Sequence, residues 1–191
     1  MIPDTGIPFS DLSISLLSSR DQVNSFKCSN DAYTRFLKRD AIDAMNECTG
    51  CTHLVYYKDG TLVGYFTLVN DIIFGDKIEE EDIRPGFRYD SYPALKIARL
   101  ATHKLWENLD IGKFMLVHSI SFAIIVNQYS ACRFITVDAV NEKVDFYKKF
   151  GFVVIEDAIT EKTTPMYFNH TAIIKILRDK DKQATFNNQS A

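Results

Sequence analysis

The residues best equipped for chemistry fall into a few groups. Cys48-Thr49-Gly50-Cys51 is a C-x-x-C pair, a spacing that suits a redox couple or half of a zinc site. A zinc site wants four ligands, and Cys28 and Cys132 stand singly, without a C-x-x-C or H-x-x-x-H partner. The thiols therefore read as structural and no metal is expected. His103 closes a strand-like run and is a candidate base. Glu79-Glu80-Glu81-Asp82 could hold a cationic amine over a reaction site, or be a solvated loop. Arg35, Lys38 and Arg39 share the outer face of one helix, where they could contact phosphate or simply be solvated charge. The sequence has no Ser/His/Asp nucleophile set and no Walker loop.

The elements that carry these residues follow from periodicity and punctuation. Ile14-Ser15-Leu16 alternates and suggests a first strand. Ser29 or Asn30 can cap a helix over about Asp31 to Met45, whose apolar positions Tyr33, Phe36, Leu37, Ile42 and Met45 recur at near-helical spacing. His53–Tyr57 and Thr61–Val69 flank Lys58-Asp59-Gly60, a strong hairpin signal. Asn70 to Pro93 loses periodicity. Ala94–His103 reads as a central strand, and the polar turn Glu107-Asn108-Leu109-Asp110 leads into a helix from Ile111 to about Val126. Ile111, Met115, His118, Phe122 and Ile125 mark one face of that helix. Arg133–Asp138 is a short strand. Asn141–Phe150 is a helix that stops at Gly151, a natural C′ residue. Phe152–Ile155 and Pro165–Phe168 are further strands. The resulting order predicts an α/β protein with a mixed sheet and helices on its faces.

At 191 residues the chain suits one domain, here residues 1–177 with a loose lead-in over 1–10 and a flexible tail over 178–191. Apolar residues make up 46% and charged residues 25%, which excludes wholesale disorder. The net charge is −3, so no global field draws the chain to nucleic acid or an anionic membrane. Three basic and seven acidic residues between Asn70 and Pro93 account for that negative balance. The first basic residue is Arg20 and no apolar run approaches the ~20 residues of a spanning helix. A soluble, cytoplasmic protein is expected.

Arg99-Leu100-Ala101-Thr102, then Glu107-Asn108-Leu109-Asp110-Ile111-Gly112-Lys113, then Val144-Asp145-Phe146-Tyr147-Lys148-Lys149-Phe150-Gly151-Phe152, together resemble the GNAT acyl-CoA N-acyltransferase superfamily. The likeness extends over almost the whole chain. Phe26-x-Cys28-x-Asn30, the acidic insert and Arg99-Leu100-Ala101 look like the branch that includes tRNA-acetylating toxins. The family reads Q/R-x-x-G-x-G/A after its central strand, and here Glu107, Asp110 and Gly112 occupy those positions, so only the last conforms. Glycine in such a turn allows φ > 0 and close backbone approach to a pyrophosphate at a helix N-terminus. Asn108 and Asp110 tolerate the left-handed region better than most residues. Glu107 and Asp110 also bring negative charge beside a dianion, which Lys113 can partly offset.

The resemblance implies an N-acetyltransferase that moves the acetyl group of acetyl-CoA directly to an amine, with no acyl-enzyme. It implies a backbone N–H around Leu100, Ala101 and Thr102 for the oxyanion. It also implies the turn Glu107, Asn108, Leu109, Asp110, Ile111, Gly112 and Lys113 for the pyrophosphate, and Asn141 with Asp138 at the strand end that holds the pantetheine arm. Tyr147 matches the family tyrosine that gives a proton to the departing thiolate, a task a phenol can perform at neutral pH. The implied partners are a small-molecule or protein amine acceptor and a second copy of the chain as homodimer. Aminoacyl-tRNA is an alternative acceptor, which the net charge disfavours. A third alternative is a degenerate fold that serves as an interaction module.

Overall fold

The computed structural model describes residues 6–177, so the tail expected over 178–191 lies outside it. The chain forms two compact units. Among the described residues one comprises 6–69 with Lys96–Ser121, and the other Asn70–Leu95 with 122–177. Seven strands run in the order β1-β2-β3-β4-β5-β7-β6.

In the first unit, β1 (Leu12–Leu16) pairs antiparallel with β2 (Cys51–Tyr57), which pairs antiparallel with β3 (Leu62–Phe74). Lys58-Asp59-Gly60 makes the hairpin as predicted, with Gly60 at φ 84°. Asn30 caps α1 (Asp31–Arg39), its side chain accepting from the Ala32 and Tyr33 N–H groups. The single helix expected to Met45 is broken. Asp40, at φ −110°, ends α1, and α2 (Ala41–Asn46) starts anew. The break lets both short helices bury an apolar face against one cluster, made of Leu17, Phe26, Phe36, Leu37, Ala41, Leu54 and Tyr65. A buried Leu or Phe contributes about 1.5–3 kcal/mol in such a cluster.

Two strands run further than periodicity suggests. β3 continues past Val69 to Phe74, and β4 (Ser91–Thr102) begins before Ala94. Their extensions fall in the acidic insert, where sheet pairing overrides a polar local sequence. α3 (Ile111–Val126) has the expected bounds, but its face differs. Phe114, Leu116 and Ser119 are buried beside Ile111 and Met115, whereas Ile125 is exposed. Gly64 lies opposite this helix. A Cβ there would stand 3.0 Å from the Met115 sulfur and 3.2 Å from the Ala101 carbonyl, so β3 passes close to β4 and α3 only because residue 64 has no side chain.

In the second unit, β5 (Phe134–Val140) pairs antiparallel with β7 (Thr163–Asn169), and β7 with the two-residue β6 (Val153–Val154). The helix expected from Asn141 is a 3-10 turn, Asn141–Lys143, followed by α4 (Val144–Lys148). Gly151 stands at φ 83° as the helix-stopping residue. The lead-in is not loose over residues 6–11. Ile7 is buried, its N–H donates to the Leu109 carbonyl at 3.1 Å, and Phe9 meets Phe114 edge to face. Among the described residues no helix is long and apolar enough to cross a membrane.

Candidate functional site

In the first unit the candidate parts are the end of β4 and the turn that follows. Ala101 is buried, and Leu100 and Thr102 are half-buried. The strand ends where the His103 N–H donates to the Val63 carbonyl at 2.8 Å. His103 Nδ1 accepts the Leu105 N–H at 3.2 Å and its ring meets Phe26 edge to face. That makes it the cap of a local turn, with one ring nitrogen already committed.

The turn has the backbone that a pyrophosphate cradle needs. Asn108 and Asp110 both lie in the left-handed region, at φ 63° and 62°. They are the residue types that enter it at lowest cost without being glycine. The Phe114 N–H bonds to the Asp110 carbonyl, so α3 starts directly after the turn and leaves its first N–H groups without intrahelical partners. Leu109 and Ile111 are buried and fix the turn. Lys113 is exposed in the first helical turn, and Gly112 is half-buried. Glu107 is drawn to one side, its carboxylate taking the Ser29 hydroxyl. The residues present thus fit an anionic diphosphate, even though two of them carry negative charge.

Strand β4 also carries a cation. The Arg99 guanidinium carbon sits 3.5 Å from the centroid of the Phe36 ring. No carboxylate pairs with Arg99 among the described residues. Arg35 and Arg39 are exposed on α1, on either side of Phe36 in sequence, and Lys38 is half-buried. Tyr65, fully buried, donates to the Tyr33 carbonyl, and burial pushes its phenol well above the ordinary range.

In the second unit Tyr147 is the buried residue of α4, with 6% of its surface exposed. Its ring packs edge to face on Phe152 and Phe146. Phe146 is half-buried and meets Phe150, the packing role expected of it. The Asn141 amide donates to the Glu161 carbonyl at 3.0 Å and accepts from the Thr164 hydroxyl at 2.9 Å. It thereby ties the end of β5 to the turn before β7.

The acidic run is a pinned loop. Tyr167, fully buried, receives the Glu79 N–H at 3.0 Å and donates to Asp82 Oδ2 at 2.9 Å. Asn169 donates to Asp82 Oδ1 at 2.9 Å, and Arg133 to the Asp82 carbonyl. Burial raises the Tyr167 phenol well above its usual range. Asp82 is therefore a structural anchor, while Glu80 pairs with Arg88 and Glu81 is exposed.

Sequence reading missed Asp71. It lies half-buried on the unexpected extension of β3 and accepts the Thr136 hydroxyl. The only signal was an acid inside a run of β-branched and aromatic residues. β3, β4 and β5 carry one other carboxylate, the exposed Asp138. Cys48 and Cys51 are exposed free thiols. Cys48 stands at φ 55° where the chain leaves α2, bonding to the Met45 carbonyl. Among the described residues no three His, Cys, Asp or Glu side chains cluster as metal ligands.

Known proteins give a consistent picture. The family model for the acetyltransferase (GNAT) domain matches residues 18–167. No curated protein sequence matches the chain. Among solved structures, AtaT complexed with acetyl-methionyl-tRNAfMet aligns over 87% of this chain and 99% of its own, with TM-score 0.76 and 19% identity. A tyrosine-to-phenylalanine variant of KacT aligns over the same shares with TM-score 0.75 and 19% identity. AtaTR bound with acetyl-CoA aligns over 88% and 98% with TM-score 0.71 and 20% identity. At these identities the likeness is one of fold.

Proposed function

We infer that this chain, which belongs to the acetyltransferase (GNAT) family, takes acetyl-CoA as its acetyl donor. We propose, beyond that, that its acceptor is an amine whose carrier is anionic close to the reacting nitrogen, with the aminoacyl end of tRNA as the macromolecular form. Arg99 is the observation that carries this reading. A guanidinium whose carbon lies 3.5 Å from the Phe36 ring centroid, with no ion pair to a carboxylate among the described residues, keeps its N–H fork for an anion from outside the chain. Arg35, Lys38 and Arg39 add positive charge on the outer face of the same helix whose buried Phe36 the Arg99 guanidinium meets. The net charge of −3 does not oppose it, because the excess acid is concentrated between Asn70 and Pro93. Solved neighbours with acetyl-methionyl-tRNAfMet support the same class of acceptor. The pinning of Asp82 and the pairing of Glu80 weaken the competing idea of an acidic site for polyamines.

Each candidate residue has a role in this reading. The turn Glu107–Lys113 holds the pyrophosphate through backbone N–H groups and the α3 N-terminus, supported by the left-handed Asn108 and Asp110. A backbone N–H among Leu100, Ala101 and Thr102 donates to the developing oxyanion. Tyr147 protonates the departing thiolate, and Asn141 with Asp138 positions the end of β5 for the pantetheine arm. The acceptor reacts as the neutral amine, and the proton it sheds on forming the amide passes to solvent. Transfer is direct: the amine nitrogen bonds to the acetyl carbon and the thiolate leaves.

The test is an acceptor panel with a free-thiol readout. Aminoacyl-tRNA should be acetylated with a far higher kcat/KM than spermidine. Arg99→Ala should raise the KM for aminoacyl-tRNA roughly tenfold or more while sparing acetyl-CoA affinity, the scale of one charge-assisted contact. Preference for spermidine, unaffected by Arg99→Ala, would overturn the acceptor assignment.

A further inference from the structure

We propose that the segment Gly6–Phe9 is a positioning strap for the turn Glu107–Asp110, and that Gly6 and Ile7 set acetyl-CoA affinity through it. The inference rests on the reading of that turn as the pyrophosphate site.

Two non-glycine residues in the left-handed region within three positions are a strained arrangement. Each costs on the order of 1 kcal/mol, and such strain persists only where the surroundings over-determine it. Here the surroundings are the strap. Leu109, between the two strained residues, is buried, and its carbonyl accepts the Ile7 N–H at 3.1 Å. Ile7 is itself 3% exposed, which anchors the strap. Phe9 meets Phe114 edge to face with ring centroids 5.1 Å apart, and the Phe114 N–H bonds to the Asp110 carbonyl at 2.9 Å. The strap therefore touches the turn at Leu109 and the first turn of α3 at Phe114.

Gly6 supplies the closest approach. A Cβ built on it would stand 2.6 Å from Asp110 Oδ2, so that carboxylate would have to turn aside. The Asp110 carboxylate thus lies against the backbone of the strap. A second segment reaches the same region: the Ser29 hydroxyl donates to Glu107, and the Lys104 N–H donates to the Lys27 carbonyl at 2.7 Å. The turn is clasped between two segments distant in sequence. A glycine at position 110 would reach the same φ freely. Aspartate needs the clasp, so the strap does for this turn what an intrinsic backbone preference would otherwise do.

The experiment uses the full chain and acetyl-CoA itself. Calorimetric Kd, kcat at saturating acetyl-CoA and the thermal midpoint are measured for Gly6→Ala, Ile7→Ala, Asp110→Gly and Gly6→Ala/Asp110→Gly. Gly6→Ala should weaken acetyl-CoA binding roughly tenfold, equivalent to about 1.4 kcal/mol, with saturated kcat within about threefold of wild type. Ile7→Ala should weaken binding in the same direction. In the Asp110→Gly background the Gly6→Ala change should cost less than about threefold, because the oxygen it strikes is gone. Loss of affinity that Asp110→Gly does not relieve, or unchanged affinity in both Gly6→Ala and Ile7→Ala while Asp110→Gly shifts it, would overturn the strap. Unchanged affinity in all four proteins would overturn the pyrophosphate reading of the turn itself. Should Gly6→Ala fail to fold, Ile7→Ala alone and in the Asp110→Gly background decides the matter by the same comparison.

Discussion

In the proposed reaction Tyr147 protonates the departing thiolate, and removing its one side-chain oxygen isolates that step. The ring is 6% exposed and held edge to face by Phe152 at 5.4 Å and Phe146 at 5.1 Å. Tyr147→Phe keeps that ring, those contacts and the backbone bonds from Phe150 and Phe152 to the Tyr147 carbonyl. No core volume is lost, so the stability change is limited to the hydroxyl's own interactions, about 1 kcal/mol. For a domain of this size that shifts the thermal midpoint by roughly 2–5 °C. Rate should respond far more. General acid catalysis is typically worth about 10²–10⁴-fold, and a thiolate leaves fairly well unaided, so kcat should fall by something on the order of 10–1,000-fold. That span is about 1.4–4 kcal/mol of transition-state stabilisation, more than the stability cost of the same change. The assay is single-turnover thiol release under saturating acetyl-CoA and acceptor, beside calorimetric acetyl-CoA affinity. Affinity should stay within about threefold. An unchanged single-turnover rate would refute the reasoning and leave Tyr147 as a packing residue.

Other expectations concern the turn, the sheet carboxylate, the acidic loop and the histidines. Asp110→Gly should tighten acetyl-CoA binding roughly 3–10-fold at low salt and less at high salt, since it removes a negative charge and a strained φ; calorimetry at two ionic strengths checks this. Asp71→Asn should lower the thermal midpoint by the equivalent of roughly 1–3 kcal/mol, since it weakens the bond from the Thr136 hydroxyl; thermal melts read it. Asp82→Asn should lower the thermal midpoint through its bonds to Tyr167 and Asn169, by the equivalent of roughly 1–3 kcal/mol, whereas Glu81→Gln should leave it within error. His53 and His170 are buried, and burial depresses both below the usual 6.5. The unfolded chain then binds more protons than the folded one, so their contribution is present above about pH 6.5 and is lost as pH falls below it. Thermal midpoints between pH 7.5 and 5 should fall, and His170→Leu should flatten the slope.

The parts of the fold written in local chemistry were readable directly. Asp59-Gly60 makes a hairpin because glycine takes φ 84° there. Asn30 starts α1 because its carboxamide accepts two free N–H groups. Gly151 ends the helix bearing Tyr147 because the chain turns left-handed at that point. What escaped reading is non-local. Nothing near Ile7 announces that it pairs with Leu109, a hundred residues on. Asp71 falls where the local pattern loses its periodicity, yet Thr136 supplies a hydroxyl that satisfies it within the sheet. Asp82 looks like one of four solvated acids until Tyr167 and Asn169 arrive from β7. Asp110 was legible as a departure from glycine. The carboxylate's place against Gly6 was not, because it depends on where the lead-in docks.

The central claim is direct acetyl transfer from acetyl-CoA to an amine on an anionic carrier. Its most direct test mixes the protein with acetyl-CoA, with and without aminoacyl-tRNA, and follows free thiol, acetylated α-amine and the intact mass of the protein. The account predicts one thiol released per acetylated amine, no burst of thiol without acceptor, and a protein of unchanged mass. A stoichiometric thiol burst that leaves the protein heavier by one acetyl group, or no acetylation of aminoacyl-tRNA under saturating acetyl-CoA, would contradict it.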